Sequence, residues 1–112
     1  MNAYQKLKQN WEFRRAYNRG VSCVSPAFVL YAVKGKKNTV RLGITVGKKI
    51  GTAVKRNRAK RVVTAAFNAC IPHIAAGYDY IIVARTRILG TKSTDVAYTL
   101  QKQLKQQNLW IE

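Results

Sequence analysis

The chain has few of the side chains from which catalytic sites and metal sites are built. Its 112 residues include one histidine, His73, and four acidic residues, scattered along the chain at Glu12, Asp79, Asp95 and Glu112. A ribonuclease-type pair of acid and base therefore lacks its second histidine, and no nucleophile elbow accompanies a Ser-His-Asp grouping of His73 with Asp79. Because hard divalent cations prefer several oxygen ligands, we expect no catalytic residue and no metal site in the protein itself.

Cysteines and long apolar runs are also scarce. Cys23 and Cys70 stand alone, without a CxxC motif or a Cys/His cluster, so we expect two reduced thiols rather than a disulfide or a metal site. No apolar run approaches the ~20 residues that span a bilayer, and residues 1–8 show no signal-peptide pattern. The sequence therefore predicts a cytoplasmic protein with no membrane partner, and no protein partner is evident.

Cations, by contrast, are abundant. The chain carries 21 Lys and Arg residues and a formal net charge of +17. Self-repulsion on this scale destabilises the free fold, so the charge is expected to serve a polyanionic partner. Nucleic acid is the default partner of such a domain, and a membrane surface is the weaker candidate. With 47% hydrophobic residues, the chain should fold around one core, as a single nucleic-acid-binding domain over residues 1–112.

Hydrophobic periodicity predicts the element order α-β-β-β-α-β-α. Helices are expected over residues 10–19, 52–71 and from residue 94 onward. Asn10 can cap the first helix, and Gly20 ends it. Extended segments are expected over residues 21–25, 27–33, 39–46 and 77–85.

The connections between these elements predict an α+β fold. A short turn at residues 35–38 makes the second and third extended segments an antiparallel hairpin. The last segment is a continuous apolar run that suits a central strand, and the long helix before it suggests a parallel crossover. We therefore expect a small α-β sandwich in a single domain, with a mostly antiparallel sheet, one β-α-β crossover and helices packed on the sheet.

The densest run of cations, residues 47–61, leads from a glycine-bounded loop into the long helix. Thr52 can cap this helix, and the free N–H groups of a helix N-terminus suit a phosphate. The loop fails the Walker A spacing, because three residues rather than four separate Gly47 from Gly51. A solvated basic face is the ordinary explanation of such a run, but few carboxylates exist to neutralise it. The buried stripe of the helix is predicted to be Ala59, Val62, Val63, Ala66 and Cys70, with the cations outside it.

Aromatic residues supply a second, weaker signal. Phe13 and Tyr17 share a face of the first helix, whereas Phe28 and Tyr31 lie on the first long strand. Core packing is the preferred interpretation of Phe28. Tyr17 and Tyr31 carry a polar hydroxyl and could line a groove in which unpaired bases stack.

Several motifs together resemble the bacterial ribonuclease P protein family. Arg56-Asn57-Arg58-x-Lys60-Arg61 is followed by Phe67 and preceded by the run from Lys48 to Val54. Further matches are Leu7-Lys8-x-Asn10-x-x-Phe13, Gly20, Phe28-Val29-Leu30-Tyr31, Leu42-Gly43 and the run from Asp79 to Arg85. The resemblance covers roughly residues 6–86 in order, which makes it far more specific than Arg-Asn-Arg alone.

The resemblance implies that the β-α-β crossover is left-handed, whereas sequence alone would predict the right-handed form. It also implies that a partner RNA, with magnesium ions, cleaves the 5′ leader from precursor tRNA. By position, a surface for the catalytic RNA comprises Lys48, Lys49, Gly51, Thr52, Lys55, Arg56, Asn57, Arg58, Lys60 and Arg61. A cleft for the single-stranded leader comprises Phe13, Tyr17 and Tyr31.

Three other functions compete with a protein component of ribonuclease P. They are a non-catalytic RNA-binding protein of ribosomal type, a nonspecific DNA-compacting protein and a self-sufficient nuclease. Composition does not separate the first of these from a ribonuclease P protein, but the extended motif does. The scarcity of histidine and acidic residues argues against a nuclease that works without RNA.

Overall fold

The computed structural model describes residues 4–112, so the first three residues of the N-terminal segment considered above lie outside it. Its strands are β1 (Gln5–Lys6), β2 (Val21–Val24), β3 (Phe28–Lys34), β4 (Val40–Thr45) and β5 (Tyr78–Ala84). Its α-helices are α1 (Asn10–Arg19), α2 (Ala53–Cys70) and α3 (Ser93–Gln106). Short 3-10 helices occur at Lys48–Ile50, Ile71–His73 and Thr86–Gly90. Every predicted helix and strand is confirmed, and β1 is an addition to them.

The strands form one five-stranded sheet in the order β1-β4-β5-β3-β2. β4 runs parallel to both β1 and β5, whereas β3 runs antiparallel to both β5 and β2. The predicted crossover is confirmed as β4–α2–β5, and β5 is the predicted central strand; the left-handed sense of the crossover stays a prediction. The sheet is mixed rather than mostly antiparallel, since its pairings divide equally between the two kinds.

The predicted antiparallel hairpin is wrong. β3 and β4 run in opposite directions, but β5 lies between them and pairs with both. Tyr80, Ile81 and Ile82 of β5 are completely buried. A strand that is apolar on both faces is best placed in the middle of a sheet. The short connection after β3 therefore carries the chain past the position of β5 to its other side, where β4 lies.

Alternate residues of the strands face two separate cores. On one face Phe28, Tyr80 and Ile82 pack against buried side chains of α2 and α3. On the other face Ile81 packs against Ala16 of α1. Phe28 is completely buried, which confirms its interpretation as a core residue. α1 therefore lies on the opposite face of the sheet from α2 and α3.

The ends of α1 follow local signals, with one correction. The helix begins at Asn10, so the capping residue is Gln9 rather than Asn10. The Gln9 backbone N–H donates to Glu12 Oε1 at 3.1 Å, which uses a first-turn carboxylate in the way that helix N-termini favour. The Gly20 N–H donates to the Ala16 carbonyl at 2.9 Å and closes the helix as predicted.

The amphipathic pattern of α2 is confirmed. Thr52 Oγ1 accepts a hydrogen bond from the Lys55 N–H at 3.3 Å, which makes Thr52 the predicted cap. All members of the predicted stripe except Val62 are buried, and Val62 is half-buried. Phe67 is completely buried as well. The buried stripe of α2 is therefore wider than predicted, on the side opposite Val62.

Two of the four acidic residues hold arginines on the α1 face of the sheet. Asp79 is completely buried, and its Oδ2 accepts from Arg15 Nη2 at 2.6 Å. Arg41 Nε donates to Asp79 Oδ1 at 2.7 Å, and Arg41 Nη1 donates to Glu12 Oε2 at 3.0 Å. The hydrogen bond to Asp79 raises the pKa of the Arg41 guanidinium above its ordinary value. We call Glu12, Arg15, Arg41 and Asp79 the Asp79 network.

Candidate nucleic-acid interface

The loop before α2 has one buried apolar side chain and two exposed lysines. Ile50 is buried, whereas Lys48 and Lys49, which precede it in the same 3-10 turn, are exposed. The backbone at Gly51 has φ 127° and ψ −142°, a conformation that residues with a Cβ rarely adopt. The loop therefore presents two lysines next to the N-terminus of α2, where free N–H groups suit an anion.

A valine at Gly51 is expected to destabilise the fold by about 1–3 kcal/mol, the usual cost of a strained backbone conformation. Crowding contributes less, because the nearest neighbour of a new Cβ is the flexible Lys55 side chain at 3.0 Å. Urea unfolding of Gly51→Val measures the loss. The matched control is Gly47→Val, since Gly47 has φ −77° and no neighbour within 4 Å of its Cβ position. Equal stability of the two variants would contradict this explanation.

The cations of α2 divide between two flanks of the helix. Lys60 lies on the flank that faces α1, together with Thr64. Arg58 and Arg61 lie on the flank that faces the start of α3. Steps of three or four residues keep each set on its own side of the helix. The predicted single basic surface is therefore two surfaces that share one helix.

Arg56 differs from its neighbours. The sequence placed it with the exposed cations, but its side chain is half-buried. Its angular position lies above the buried Val63, two turns further along the helix. The Arg56 Nε atom is buried and has no hydrogen-bond partner within residues 4–112. Since buried N–H groups are usually paired, an acceptor from another molecule would satisfy the hydrogen-bonding capacity of this N–H group. Lys55 and Asn57 beside it are exposed.

A groove of about 540 Å³ lies between α1, the end of β4 and α2. We call it the α1 groove. Its aromatic residues are Phe13 and Tyr17, and its cations are Arg14 and Lys60. The wall is formed by Ile44 and Thr45 at the end of β4 and by Val46, which follows the strand. The last pair between β1 and β4 joins Lys6 to Leu42. Beyond that pair, β4 has no strand neighbour on this side within the described residues, and the groove occupies the free edge.

Two of the three predicted leader-cleft residues, Phe13 and Tyr17, line this groove, and Tyr31 lies behind them. Tyr17 is 38% exposed, and its hydroxyl lies 2.9 Å from Thr45 Oγ1. Tyr31 contacts Tyr17 edge to face, with the ring centroids 4.9 Å apart, but it does not line the groove. It is half-buried against the core under α1. Phe13 and Tyr17 are therefore the accessible rings, and Tyr31 supports Tyr17.

Gly43 leaves the space that the Phe13 ring occupies, a role that was not predicted from the sequence. A Cβ at this position would lie 2.7 Å from the Phe13 ring. Real Cβ atoms do not approach other atoms so closely, so the ring sits where only glycine leaves room. The signal in the sequence was a glycine in the interior of a strand, which often marks a close approach.

His73 and Asp79, which the sequence raised as a conceivable pair, are engaged in different places. His73 stacks on Trp110, and its Nδ1 lies 2.7 Å from the Ile111 carbonyl oxygen, whereas Asp79 is enclosed in the Asp79 network. No group of three His, Cys, Asp or Glu residues that could hold a metal ion occurs between residues 4 and 112. Both cysteines are free and buried, and burial raises the pKa of the Cys70 thiol. Within the same range, no helix is long and apolar enough to cross a membrane.

Comparisons with known proteins give a consistent answer. The family model "Ribonuclease P" matches residues 1–108. The ribonuclease P protein component of Exiguobacterium sibiricum is 35% identical over 111 residues, which is 98% of this chain and 96% of the relative. The solved Staphylococcus aureus RNase P protein has a TM-score of 0.81 at 34% identity, covering 97% of this chain and 99% of that one. The chain belongs to the ribonuclease P protein family.

A second solved structure concerns a Staphylococcus aureus RNase P protein mutant with defective mRNA degradation activity. It has a TM-score of 0.81 at 34% identity and covers 93% of this chain and 88% of that one. The activity named for that mutant, mRNA degradation, differs from the one that gives the family its name.

Membership in the ribonuclease P protein family decides between the competing functions. It makes the chain a component of an endoribonuclease that processes tRNA, with ribonuclease P RNA as its partner. A ribosomal-type RNA-binding protein and a DNA-compacting protein are thereby displaced. The fold predicted from the resemblance, a small α+β domain, is confirmed by the solved relatives.

Proposed function

We propose that this protein holds two RNA molecules on different sides of α2 while the catalytic RNA performs the chemistry. The loop at residues 47–52 and four cations of α2, Lys55, Arg56, Arg58 and Arg61, bind the catalytic RNA. The α1 groove, which includes Lys60, binds the 5′ leader of precursor tRNA. The observation that carries the proposal is the division of the cations between two flanks, one of which faces a groove with accessible aromatic rings.

The α1 groove suits a single strand better than a duplex. Phe13 and Tyr17 offer ring faces or edges on which any base can stack, which gives affinity without a requirement for sequence. Arg14 and Lys60 supply charge for the phosphates, and no carboxylate lines the groove. These features fit a leader, whose sequence differs from one precursor to another.

The loop and the adjoining part of α2 suit the phosphate backbone of a folded RNA. Lys48, Lys49 and Lys55 are exposed beside a helix N-terminus, and Arg56 has an N–H group that lacks a partner among the described residues. Arginine and lysine contacts to phosphates position an RNA without reading its bases. This surface is therefore assigned to the catalytic RNA.

The protein itself is not expected to break the phosphodiester bond. Magnesium ions would be held through the catalytic RNA, since the protein offers scattered carboxylates, two of them engaged with arginines. The partners proposed are the catalytic RNA and precursor tRNA, and the proposed location is the cytoplasm. No protein partner or membrane is needed for this function.

Cleavage of precursor tRNA at low magnesium concentration tests the proposal. The substrate is incubated with the purified protein alone, with the catalytic RNA alone, with both, and with neither. Cleavage at the mature 5′ end is expected only when protein and RNA are both present. Cleavage by the protein alone would instead support a self-sufficient nuclease that works without RNA.

The affinity for the catalytic RNA is expected to fall steeply with salt. Replacing both Arg58 and Arg61 with alanine should reduce the slope of log K against log salt by about 0.7 to 0.9 per arginine. Both side chains are exposed, so the melting temperature should hardly change. Filter binding at several salt concentrations measures the slope.

The control for that variant is Lys36→Ala with Lys37→Ala, which removes the same charge from exposed positions in the turn between β3 and β4. That turn lies at the end of β4 opposite the 47–52 loop, so its loss should change the slope little. If both double variants reduced the slope equally, the cations of α2 would have no special role.

A further inference from the structure

A second groove runs between α2 and α3. It consists of two cavities of about 700 Å³ and 310 Å³. The cavities share Ala65, Ser93 and Thr94 as lining residues, so they adjoin each other, and we call the two together the α3 groove. On α2 it extends from Arg58 to Cys70, a distance of roughly 18 Å along the helix axis.

The two ends of the α3 groove differ in chemistry. Arg58, Arg61 and Lys92 line one end, and Tyr98 and Trp110 line the other. The middle is lined by small and hydroxylated side chains. No carboxylate lines either cavity. Such a groove combines a positive end for phosphates with rings at the far end for bases.

Tyr98 is the accessible ring of this groove. It is 64% exposed, so its ring contributes little to the hydrophobic core and is free to contact another molecule. The Lys102 ammonium lies 5.4 Å from the centroid of its ring, which adds a cation beside the ring. Trp110, by comparison, already stacks on His73 with the ring centroids 4.6 Å apart. A base entering the groove would therefore meet Tyr98.

We propose that the α3 groove binds an unpaired segment of the catalytic RNA, with phosphates at Arg58, Arg61 and Lys92 and a base against Tyr98. The inference rests on the proposed function. The catalytic RNA is the preferred occupant because Arg58 and Arg61 belong to the surface already assigned to it. The leader is less suited, because the α1 groove opens on the other flank of α2, beside Lys60.

A pair of exposed tyrosines, one in each groove, provides the test. Tyr98→Ala, Tyr98→Phe and Tyr17→Ala are each compared with the parent in two measurements. The first is the affinity for the catalytic RNA, and the second is the ratio of holoenzyme affinities for precursor and mature tRNA. Tyr98→Ala is expected to weaken binding of the catalytic RNA about fivefold or more, from the loss of one stacked base, without changing the ratio.

Tyr98→Phe keeps the ring and is expected to keep the affinity for the catalytic RNA, whereas Tyr17→Ala should change only the ratio. If Tyr98→Ala bound the catalytic RNA as tightly as the parent, the inference would be wrong. A change in the ratio for Tyr98→Ala would assign the groove to the substrate and also overturn it. A parent protein that failed to bind the catalytic RNA would refute the proposed function itself, an outcome distinct from both.

Discussion

Replacing Asp79 with alanine is expected to lower the free energy of unfolding by about 3 kcal/mol, near the lower end of the range for breaking a buried ion pair. The carboxylate is completely buried and accepts from two arginines. Without it Arg15 and Arg41 would be left near each other with one remaining acidic partner, Glu12. The loss is moderated because the Arg15 and Arg41 side chains are 29% and 18% exposed and can partly reach water.

Thermal unfolding of Asp79→Ala should show a melting temperature lower by about 10 °C, given the size of the domain. The control is Glu112→Ala, which removes the same charge from a side chain that is 84% exposed and 3.9 Å from Lys105. That control should melt like the parent, because exposed ion pairs contribute little. If the two variants melted alike, the net charge rather than the Asp79 network would govern stability.

Removing an accessible ring from the α1 groove should weaken binding of precursor tRNA and leave binding of mature tRNA unchanged. Tyr17→Ala is expected to weaken holoenzyme binding of precursor tRNA roughly five- to a hundredfold, the value of one lost stacking contact. The affinity for mature tRNA, which has no leader, should stay the same. Because Tyr17 is 38% exposed, the loss of stability should be small. Equilibrium binding of both tRNAs to the assembled holoenzyme measures the difference.

Trp11→Ala is the matched control for the leader prediction. Trp11 is 55% exposed on the same helix but does not line the α1 groove. It should therefore leave the ratio of precursor to mature affinities unchanged. Tyr17→Phe separates the ring from the hydroxyl, which lies beside Thr45, and should behave like the parent. Equal losses for both tRNAs in Tyr17→Ala would show that the groove does not bind the leader.

Much of the fold could be predicted because the signals for it are local. The Thr52 cap, the stripe of α2 and the end of α1 at Gly20 each depend on residues within one or two turns. The order of the strands could not be read in this way. The short connection between β3 and β4 is compatible with a hairpin and equally with a strand inserted between them. The continuous apolar run of β5, already interpreted as central, was the feature that should have decided the question.

The parts of the site that the sequence did not predict depend on contacts distant in sequence. Asp79 is 64 residues from Arg15 and 38 from Arg41, so scattered acidic residues gave no sign of a network. The division of the α2 cations required knowing that α1 and α3 lie on opposite faces of the sheet. The position of Tyr31 behind Tyr17 likewise depends on how α1 packs. The basic run itself was evident from the order of the residues at positions 47–61.

Photo-crosslinking within the assembled holoenzyme tests most directly whether two RNAs occupy opposite flanks of α2. Precursor tRNA carrying a photoreactive uridine in its leader is bound to the holoenzyme and irradiated, and the crosslinked peptides are identified. We predict crosslinks to residues of the α1 groove, chiefly Phe13, Tyr17 and Lys60. Leader crosslinks to Arg58, Arg61 or Tyr98 instead would contradict the assignment of the two flanks.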